Sequence, residues 1–272
     1  MFLAAGEGGS HLDAEAGNRY NLTSRDKRGR HMKTQLENTL WVDFHTHVLP
    51  KMDDGARSPE MGAAMLQELG RQGVKTVFAT SHYTPHRESP ASFAARRDRA
   101  VELLRAAVFP GSPLVRLGAE IYLERELPEQ GLETLCLEGT RLILLEMPRQ
   151  PYKPWMLEKI QNIAYAMRVT PVIAHVDRYL SWYSREDYAQ LFSFSDCLLQ
   201  INMEALTDRA ARKFVLRLAK EGYALLPGSD THNMETRRPN FDEAVAVLAK
   251  KSGCMPILDA LQTGMEQAGI SW

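Results

Sequence analysis

The chain has 272 residues, with 33 Lys and Arg against 34 Asp and Glu, and its formal net charge is −1. This balance gives no reason to expect binding to nucleic acid or to an anionic membrane. Hydrophobic residues make up 44% and charged residues 25%, as in ordinary globular proteins, and no apolar run approaches the roughly 18 to 20 residues of a membrane span. Three cysteines without C-x-x-C spacing, Cys136, Cys197 and Cys254, favour reduced thiols in a cytoplasmic protein over a disulfide framework.

The first 38 residues differ in composition from the rest of the chain. They are rich in Gly, Asn, Asp, Arg and Ser and show no apolar periodicity. The apolar run Met1–Ala5 is too short for the core of a signal peptide. We therefore expect residues 1–38 to be a disordered extension, or sequence that is not native to the protein, with Met32 as an alternative start. Residues 39–272 are expected to form one domain.

From Trp41 onward, apolar runs rich in β-branched residues alternate with stretches of helical periodicity. Seven strands are predicted, at Trp41–Phe44, Val74–Ala79, Leu114–Ala119, Arg141–Glu146, Pro171–Ala174, Cys197–Ile201 and Tyr223–Pro227. Helices are predicted at Glu60–Arg71, Ala91–Ala107, Trp155–Met167, Asp208–Glu221 and Phe241–Lys250. This alternation indicates an α/β domain with a parallel sheet closed as a barrel. An open doubly wound sheet is the alternative, although no G-x-G-x-x-G follows the first strand.

The end of the first strand carries a candidate metal site. His45 and His47 are separated by one residue, and in an extended backbone such residues point to the same side. Asp53 and Asp54 follow in a loop from which a carboxylate can fold back towards the imidazoles. Imidazole nitrogens and carboxylate oxygens are ligands of divalent transition metals. Ordinary surface histidines are the alternative for this motif taken alone.

The other predicted strands also end in polar residues. The residues at these ends are His82, Glu120, Glu146, His175 with Asp177 and Arg178, Asn202, and Asp230 with His232. In barrels and open α/β sheets, sites are built at the carboxyl ends of the strands. A structural role could explain any one of these residues, but their shared position at the ends of seven strands favours one metal site.

Five motifs together resemble the PHP superfamily, named for polymerase and histidinol phosphatase. They are Asp43-Phe44-His45-Thr46-His47, Thr80-Ser81-His82, Gly118-Ala119-Glu120-Ile121-Tyr122, Pro171-Val172-Ile173-Ala174-His175 and Ser229-Asp230-Thr231-His232-Asn233. More narrowly, the chain is similar over nearly all of 41–270 to the bacterial manganese-dependent protein-tyrosine phosphatases of capsule and exopolysaccharide gene clusters. The resemblance implies a distorted seven-stranded (β/α)7 barrel. The sequence departs from the family pattern at Asp177, where the family usually has Glu, and we expect this change to be tolerated.

The resemblance also implies roles for individual residues. Two to three divalent ions, manganese or alternatively iron or zinc, would be held by His45, His47, Asp54, His82, Glu120, His175, Asp230 and His232. Within this set Glu120 would bridge two ions. Arg178 and Arg237 would contact the phosphate, for which a surface salt bridge is the alternative role. His232 is in addition a candidate acid for the leaving group.

The function implied is a metal-dependent phosphatase that hydrolyses phosphotyrosine on a protein. Its expected partner is a bacterial tyrosine kinase with a tyrosine-rich tail that controls capsule or exopolysaccharide synthesis. The phosphatase itself is expected to be cytoplasmic. Alternatives are a phosphatase for histidinol phosphate or another small monoester, a PHP-type phosphodiesterase or exonuclease, and a non-catalytic metal-stabilised scaffold. The absence of a basic stripe argues against nucleic acid. A cysteine phosphatase is excluded, because that chemistry needs Cys, five residues and Arg, whereas Arg141 follows Cys136 one position too early.

Several residues near these motifs have more than one interpretation. Five aromatic residues beside the ligand loops could stack on a phenyl ring or simply pack: Tyr83, Tyr122, Tyr152, Trp155 and Tyr179. Asp53 is predicted to be a loop carboxylate, and Asp43 to support a strand-one ligand. Glu146 could bind metal directly. Alternatively, it could support a residue that binds the metal without touching the metal itself, or form a salt bridge. His86 is predicted to be exposed.

Overall fold

The computed structural model describes residue 36 and residues 39–270. The chain divides into two units, residues 1–38 and residues 39–272. Apart from Leu36, the expected disordered extension lies outside the described residues. The fold below is that of the second unit.

Nine strands, all paired in parallel, are present in the described part of the chain. They are β1 (Trp41–Thr46), β2 (Val74–Ala79), β3 (His82–Tyr83), β4 (Leu114–Leu117), β5 (Glu120–Tyr122), β6 (Leu142–Glu146), β7 (Thr170–Ile173), β8 (Leu198–Asn202) and β9 (Leu225–Gly228). They form a three-stranded sheet in the order β1-β2-β4 and a six-stranded sheet in the order β3-β5-β6-β7-β8-β9. The predicted α/β class with a parallel sheet is confirmed.

Two of the seven predicted strands, Val74–Ala79 and Leu114–Ala119, are each followed by a further short strand that was not predicted, β3 and β5. Between β2 and β3, the side-chain oxygen of Thr80 accepts a hydrogen bond from the Thr46 N–H at 3.0 Å. Between β4 and β5, the Gly118 N–H donates to the Ala79 carbonyl at 3.0 Å. A Cβ atom at Gly118 would lie 2.6 Å from Leu137 Cδ2, so a larger residue there would require the buried Leu137 side chain to move. The seven predicted runs therefore appear as nine strands, because β3 and β5 pair in a different sheet from β2 and β4.

Seven α-helices lie in the described residues. They are α1 (Pro59–Arg71), α2 (Pro90–Ala107), α3 (Pro154–Met167), α4 (Arg185–Leu191), α5 (Arg209–Lys220), α6 (Phe241–Lys250) and α7 (Met255–Gln267). The first three begin with proline, which suits the first helical turn because its missing N–H would have no partner there. Ser58 caps α1 by accepting from the Met61 N–H at 3.3 Å. Of the helices described, none is long and apolar enough to cross a membrane.

The two sheets curl so that the end of β1 lies beside the segment that follows β9. The Asp230 N–H donates to the His45 carbonyl at 2.7 Å, and the His47 N–H donates to the Thr231 carbonyl at 3.0 Å. Buried apolar side chains such as Phe44 and Phe78, whose ring centroids are 5.2 Å apart, belong to the core cluster. The carboxyl ends of the strands therefore converge, which brings residues distant in sequence together.

Candidate metal centre

Titratable side chains from six strand ends and one loop form four overlapping groups. The groups are His45, His47 and Asp230; His45, Glu120 and His175; His47, Asp54, His82 and His232; and His82, Glu120 and Glu146. In each group the ligand atoms lie within 4.8 Å of one another. All eight predicted metal ligands are members, and Glu146 is a ninth residue of the cluster. Shared members make the four groups one continuous site.

Glu120 lies at the centre of this cluster and is almost completely buried. One carboxylate oxygen, Oε2, is 3.1 Å from His45 Nε2 and 3.3 Å from His47 Nε2. The same oxygen is 2.9 Å from His82 Nδ1. The other oxygen, Oε1, is 2.8 Å from His175 Nε2. This carboxylate therefore lies within ion-pair distance of four imidazoles and connects the groups of the cluster with one another.

Gln200 on β8 orients His45 and was not among the predicted site residues. Its Oε1 accepts from His45 Nδ1–H at 2.9 Å and from the backbone N–H of His175 at 2.6 Å. The bond to Nδ1 leaves His45 Nε2 free to face the cluster. The sequence signal was present, because Gln200 is two residues before Asn202 and therefore points to the same side of the strand.

The network continues from Gln200 to a further candidate ligand. Gln200 Nε2 donates to Asn202 Oδ1 at 3.1 Å, and Asn202 Nδ2 donates to Asp230 Oδ2 at 3.2 Å. Gly228 lies against this network, since a Cβ there would be 2.5 Å from Gln200 Nε2 and 2.8 Å from His45 Cβ. Two buried amides thus position His45, His175 and Asp230 together.

Asp53 and Asp54 have different environments. Asp53 Oδ2 accepts from His47 Nδ1–H and from the His82 N–H, both at 2.8 Å. Burial raises the pKa of Asp53, but the neighbouring His47 outweighs it and holds that pKa well below its ordinary value. Asp54 is 67% exposed, and its Oδ1 lies 3.4 Å from His82 Nε2 and 3.3 Å from His232 Nε2. Asp53 therefore orients His47, and Asp54 faces the cluster.

Asp43 also supports the first strand, through the backbone. Its Oδ1 accepts from the His45 N–H at 3.1 Å and from the Ser229 N–H at 2.9 Å. Burial raises the pKa of Asp43 to about 7. This carboxyl group joins β1 to the loop after β9.

Two candidate ligands have an unusual backbone conformation. His175 has φ 28° and Asp230 has φ 51°. Positive φ angles in residues other than glycine cost about 1 to 3 kcal/mol and are concentrated at functional sites. The surrounding hydrogen bonds hold both residues in place despite this cost.

Several observations indicate that the cluster fits divalent cations. Glu120 Oε2 and His232 Nε2 are buried without a hydrogen-bond partner among the described residues. Burial lowers the pKa of His175 to about 4, and burial together with His47 lowers that of His232 to about 3. Both imidazoles are therefore neutral near pH 7, which is the metal-binding form. Nitrogen and oxygen donors without thiolate suit manganese, iron or zinc.

Arg178 and Arg237 both contact the candidate ligand Asp230. Arg178 Nη2 contacts Asp230 Oδ2, and Arg237 Nη2 donates to Asp230 Oδ1 at 2.7 Å. The arginine side chains are 30% and 31% exposed. Asp177, which precedes Arg178, accepts from the Asn202 N–H at 2.9 Å. The two guanidinium groups thus lie at the boundary between the cluster and solvent, where a phosphoryl group could reach them.

A cleft of about 930 Å³ opens from the cluster to the surface. Its lining includes Asp54, His82 and Glu146 of the cluster together with the aromatic residues Tyr122 and Trp155. These two aromatic residues are the ones placed to contact a phenyl ring. Burial, followed by repulsion from Glu120, raises the pKa of Glu146 to about 7.

Three of the five aromatic residues suggested from the sequence do not line this cleft. Tyr83 is buried and packs edge-on against Phe93, with ring centroids 5.4 Å apart. Tyr179 is buried, and its hydroxyl accepts from the Met147 N–H at 2.9 Å. Tyr152 is buried as well. The suggested stacking role is wrong for these three, because proximity in sequence to a ligand does not fix the direction of a side chain.

Two further predictions concern residues outside the cluster. The side chain of His86 is 62% exposed, and its Nδ1 lies 3.0 Å from Glu124 Oε2. The cysteines are free, and burial raises the pKa of Cys136 to about 11 and that of Cys197 to about 12. None of the three cysteines belongs to the groups found among the described residues.

Comparisons with known proteins agree with this geometry. The model of the family described as capsular polysaccharide synthesis, CpsB/CapC, matches residues 41–261. Tyrosine-protein phosphatase CpsB of Streptococcus pneumoniae is 29% identical over 228 residues, which cover 78% of this chain and 91% of that protein. Tyrosine-protein phosphatase YwqE of Bacillus subtilis is 32% identical over 223 residues, covering 78% and 85%. A crystal structure comes from work on YwqE and CpsB, which are described there as unique metal-dependent tyrosine phosphatases. It superposes on this chain with a TM-score of 0.63 and 25% sequence identity, and the match covers 82% of this chain and 94% of that chain.

Proposed function

We propose that this chain, which belongs to the CpsB/CapC family of capsular polysaccharide synthesis, is a metal-dependent phosphatase. Its substrate is phosphotyrosine in proteins. The observation that carries the proposal is the continuous cluster of imidazoles and carboxylates at the inner end of an open cleft. Such a site can take a phosphate group that is still attached to a protein side chain. We further propose that residues 39–272 are a single domain of the PHP type, with the curled sheet as a distorted (β/α)7 barrel.

The proposed metal ligands are the eight residues predicted from the sequence, His45, His47, Asp54, His82, Glu120, His175, Asp230 and His232. Two to three ions, manganese in preference to iron or zinc, would share the four groups, with Glu120 between them. Bound divalent ions supply Lewis acidity, which activates water and neutralises charge on a phosphoryl group. Asp53 and Gln200 contribute by fixing the orientation of His47 and His45.

Arg178 and Arg237 are proposed to bind the non-bridging oxygens of the phosphoryl group. A guanidinium group offers a planar fork of donors that matches phosphate, and such contacts stabilise the charge of the transition state. Their partial exposure beside Asp230 supports this role. For His232, the low pKa favours metal binding over the role of an acid, because the ring holds no second proton near neutral pH.

Phosphotyrosine is the proposed substrate for two reasons of chemistry and shape. Tyr122 and Trp155 line the cleft above the cluster and can contact the phenyl ring. Phenolate, with a phenol pKa of about 10, leaves more readily than the alkoxide of serine. We propose as partner a bacterial tyrosine kinase with a tyrosine-rich tail, in the control of capsule or exopolysaccharide synthesis, and we propose that the phosphatase acts in the cytoplasm.

The proposal is tested by comparing kcat/KM for three substrates in the presence of manganese. The substrates are a phosphotyrosine peptide, the matched phosphoserine peptide and histidinol phosphate. We expect the phosphotyrosine peptide to be the best substrate and EDTA to abolish its hydrolysis. An Asp230→Asn variant with the fold intact serves as the inactive control. A higher kcat/KM for histidinol phosphate would assign the chain to the small-molecule phosphatases instead.

A further inference from the structure

The outer part of the cleft carries a set of cationic side chains that the proposed chemistry does not use. They are Arg87, Arg125, Arg149 and Lys153, here called the basic wall, and all four are exposed. Arg87, Arg125 and Arg149 lie on the loops that follow β3, β5 and β6, and Lys153 directly precedes α3. The wall is therefore built from segments next to the strands that supply His82, Glu120 and Glu146.

Contacts between these segments make the basic wall one surface. The His86 N–H donates to Glu124 Oε1 at 3.1 Å, which joins the loop of Arg87 to that of Arg125. The guanidinium carbon of Arg125 lies 4.9 Å from the ring centroid of Trp155, close in sequence to Lys153. Such a cation–π contact fixes the guanidinium while its N–H groups stay available at the edge.

Most carboxylates of the same cleft already have partners. Glu88 accepts from Arg96 Nη2 at 2.5 Å, and Glu124 lies beside His86. Asp53 is paired with His47, whereas Asp54 and Glu146 face the metal cluster. Arg149 Nη2 lies 3.6 Å from Glu146 Oε1.

The other three members of the wall keep an uncompensated charge. Within the described part of the chain, no carboxylate forms an ion pair with Arg87, Arg125 or Lys153. The wall is also separate from Arg178 and Arg237, which contact Asp230. A ligand in the cleft would thus meet two different sets of cations, one at the phosphate and one further out.

We propose that the basic wall binds anionic groups that flank the target phosphotyrosine, so that the enzyme selects acidic phosphopeptides. This inference rests on the proposed function, because a phosphotyrosine held at the metal cluster would leave its neighbouring residues along the wall. The anionic groups are carboxylates of Asp or Glu or the phosphate of a second phosphotyrosine. Exposed ion pairs are individually weak, so two or three of them should raise kcat/KM roughly three- to tenfold.

The test compares four peptides with one central phosphotyrosine and different flanking residues. Three of them carry acidic, neutral amide or basic residues, and the fourth carries a second phosphotyrosine among neutral residues. We expect the acidic and doubly phosphorylated peptides to exceed the neutral peptide in kcat/KM, and the basic peptide to fall below it. At about 1 M salt, where the Debye length is only about 3 Å, the differences should disappear.

Two charge-matched variants assign the effect to the basic wall. The triple variant Arg87→Gln, Arg125→Gln and Lys153→Gln leaves Arg149 in place, because Arg149 lies beside Glu146. The control variant Arg209→Gln, Lys213→Gln and Lys220→Gln removes the same charge from exposed positions on α5. The ratio of kcat/KM for acidic and neutral peptides should approach one in the first variant and stay at the unmodified enzyme's value in the second.

The outcomes separate this inference from the proposed function. Hydrolysis of all four peptides at equal rates by the unmodified enzyme would overturn the inference and leave the phosphatase intact. A preference that survives in the wall variant, or is lost equally in the α5 variant, would also overturn it. If no phosphotyrosine peptide is hydrolysed, both the proposed function and the inference fail.

Discussion

Replacing Gln200 by Leu should weaken metal binding and stability together. Leucine has a similar volume but cannot accept the bonds from His45 Nδ1–H and the His175 N–H, at 2.9 and 2.6 Å. Because the site is completely buried, water cannot replace the missing acceptor. Each buried donor left without a partner costs about 1 to 3 kcal/mol, so two donors correspond to roughly 2 to 6 kcal/mol of unfolding free energy. Loss of a group that orients a metal ligand typically lowers metal affinity about 10- to 100-fold.

The Gln200 prediction needs controls that separate orientation of the ligands from general destabilisation. Gln200→Glu keeps an acceptor for both N–H groups and should retain most of the metal affinity. Gln72→Leu removes a buried amide that, within the described residues, has no hydrogen bond to a candidate metal ligand, and whose Oε1 accepts from the Phe241 N–H at 2.8 Å. It should lower the free energy of unfolding without changing the metal affinity. Calorimetric titration with manganese and denaturant unfolding measure the two quantities. Unchanged metal affinity in folded Gln200→Leu would refute the reasoning.

Two further predictions concern the arginines and the pH dependence of metal binding. Arg178→Ala should lower kcat/KM by the equivalent of roughly 2 to 4 kcal/mol, the worth of one transition-state contact. Elemental analysis should find the metal content of this variant unchanged. An unaltered kcat/KM would contradict a phosphate contact and would show that Arg178 only forms a salt bridge with Asp230. Because the pKa of Glu146 is raised from 4.5 to about 7, the native metal-free protein holds a proton between these values that the unfolded chain has lost. The contribution of Glu146 to stability, measured as the difference from Glu146→Gln, should therefore fall as pH rises through this window, while metal affinity, which favours the carboxylate, should rise. Glu146→Gln should make the rise in affinity shallower by about one proton in competition titrations, and an identical slope would contradict the assignment.

The convergence of strand ends explains why the cluster could be predicted from the sequence. In a parallel sheet the carboxyl ends of all strands lie at the same edge. The polar residues at or just after those ends, such as His45, Glu120 and His175, were therefore expected to lie near one another. The number of strands could not be predicted in the same way, because it depends on tertiary contacts that the periodicity of the sequence does not reveal. The breaks at Thr80 and Gly118 arise from hydrogen bonds to Thr46 and Ala79, which are distant in sequence.

Side-chain direction separates the aromatic residues that line the cleft from those that do not. Tyr83 and Tyr122 both end short paired strands, β3 and β5, and both follow candidate ligands by one or two residues. Tyr83 packs into the core against Phe93, whereas Tyr122 lines the cleft. Alternation along the strand explains the difference, because Tyr122 is two residues from Glu120 and shares its face. Tyr83 is one residue from His82 and points to the opposite face.

The supporting role of Gln200 could have been predicted from the composition of its strand. The strand Leu198–Asn202 is buried at every position, so a polar side chain within it must have hydrogen-bond partners. Gln200 shares the face of Asn202, which ends the strand at the edge where the ligands meet. A buried amide two residues before that edge is therefore expected to support the ligands behind it. Which ligands it supports still depends on how the strands are arranged in space. His175 follows β7, which pairs with β8, whereas His45 lies on β1, which belongs to the other sheet.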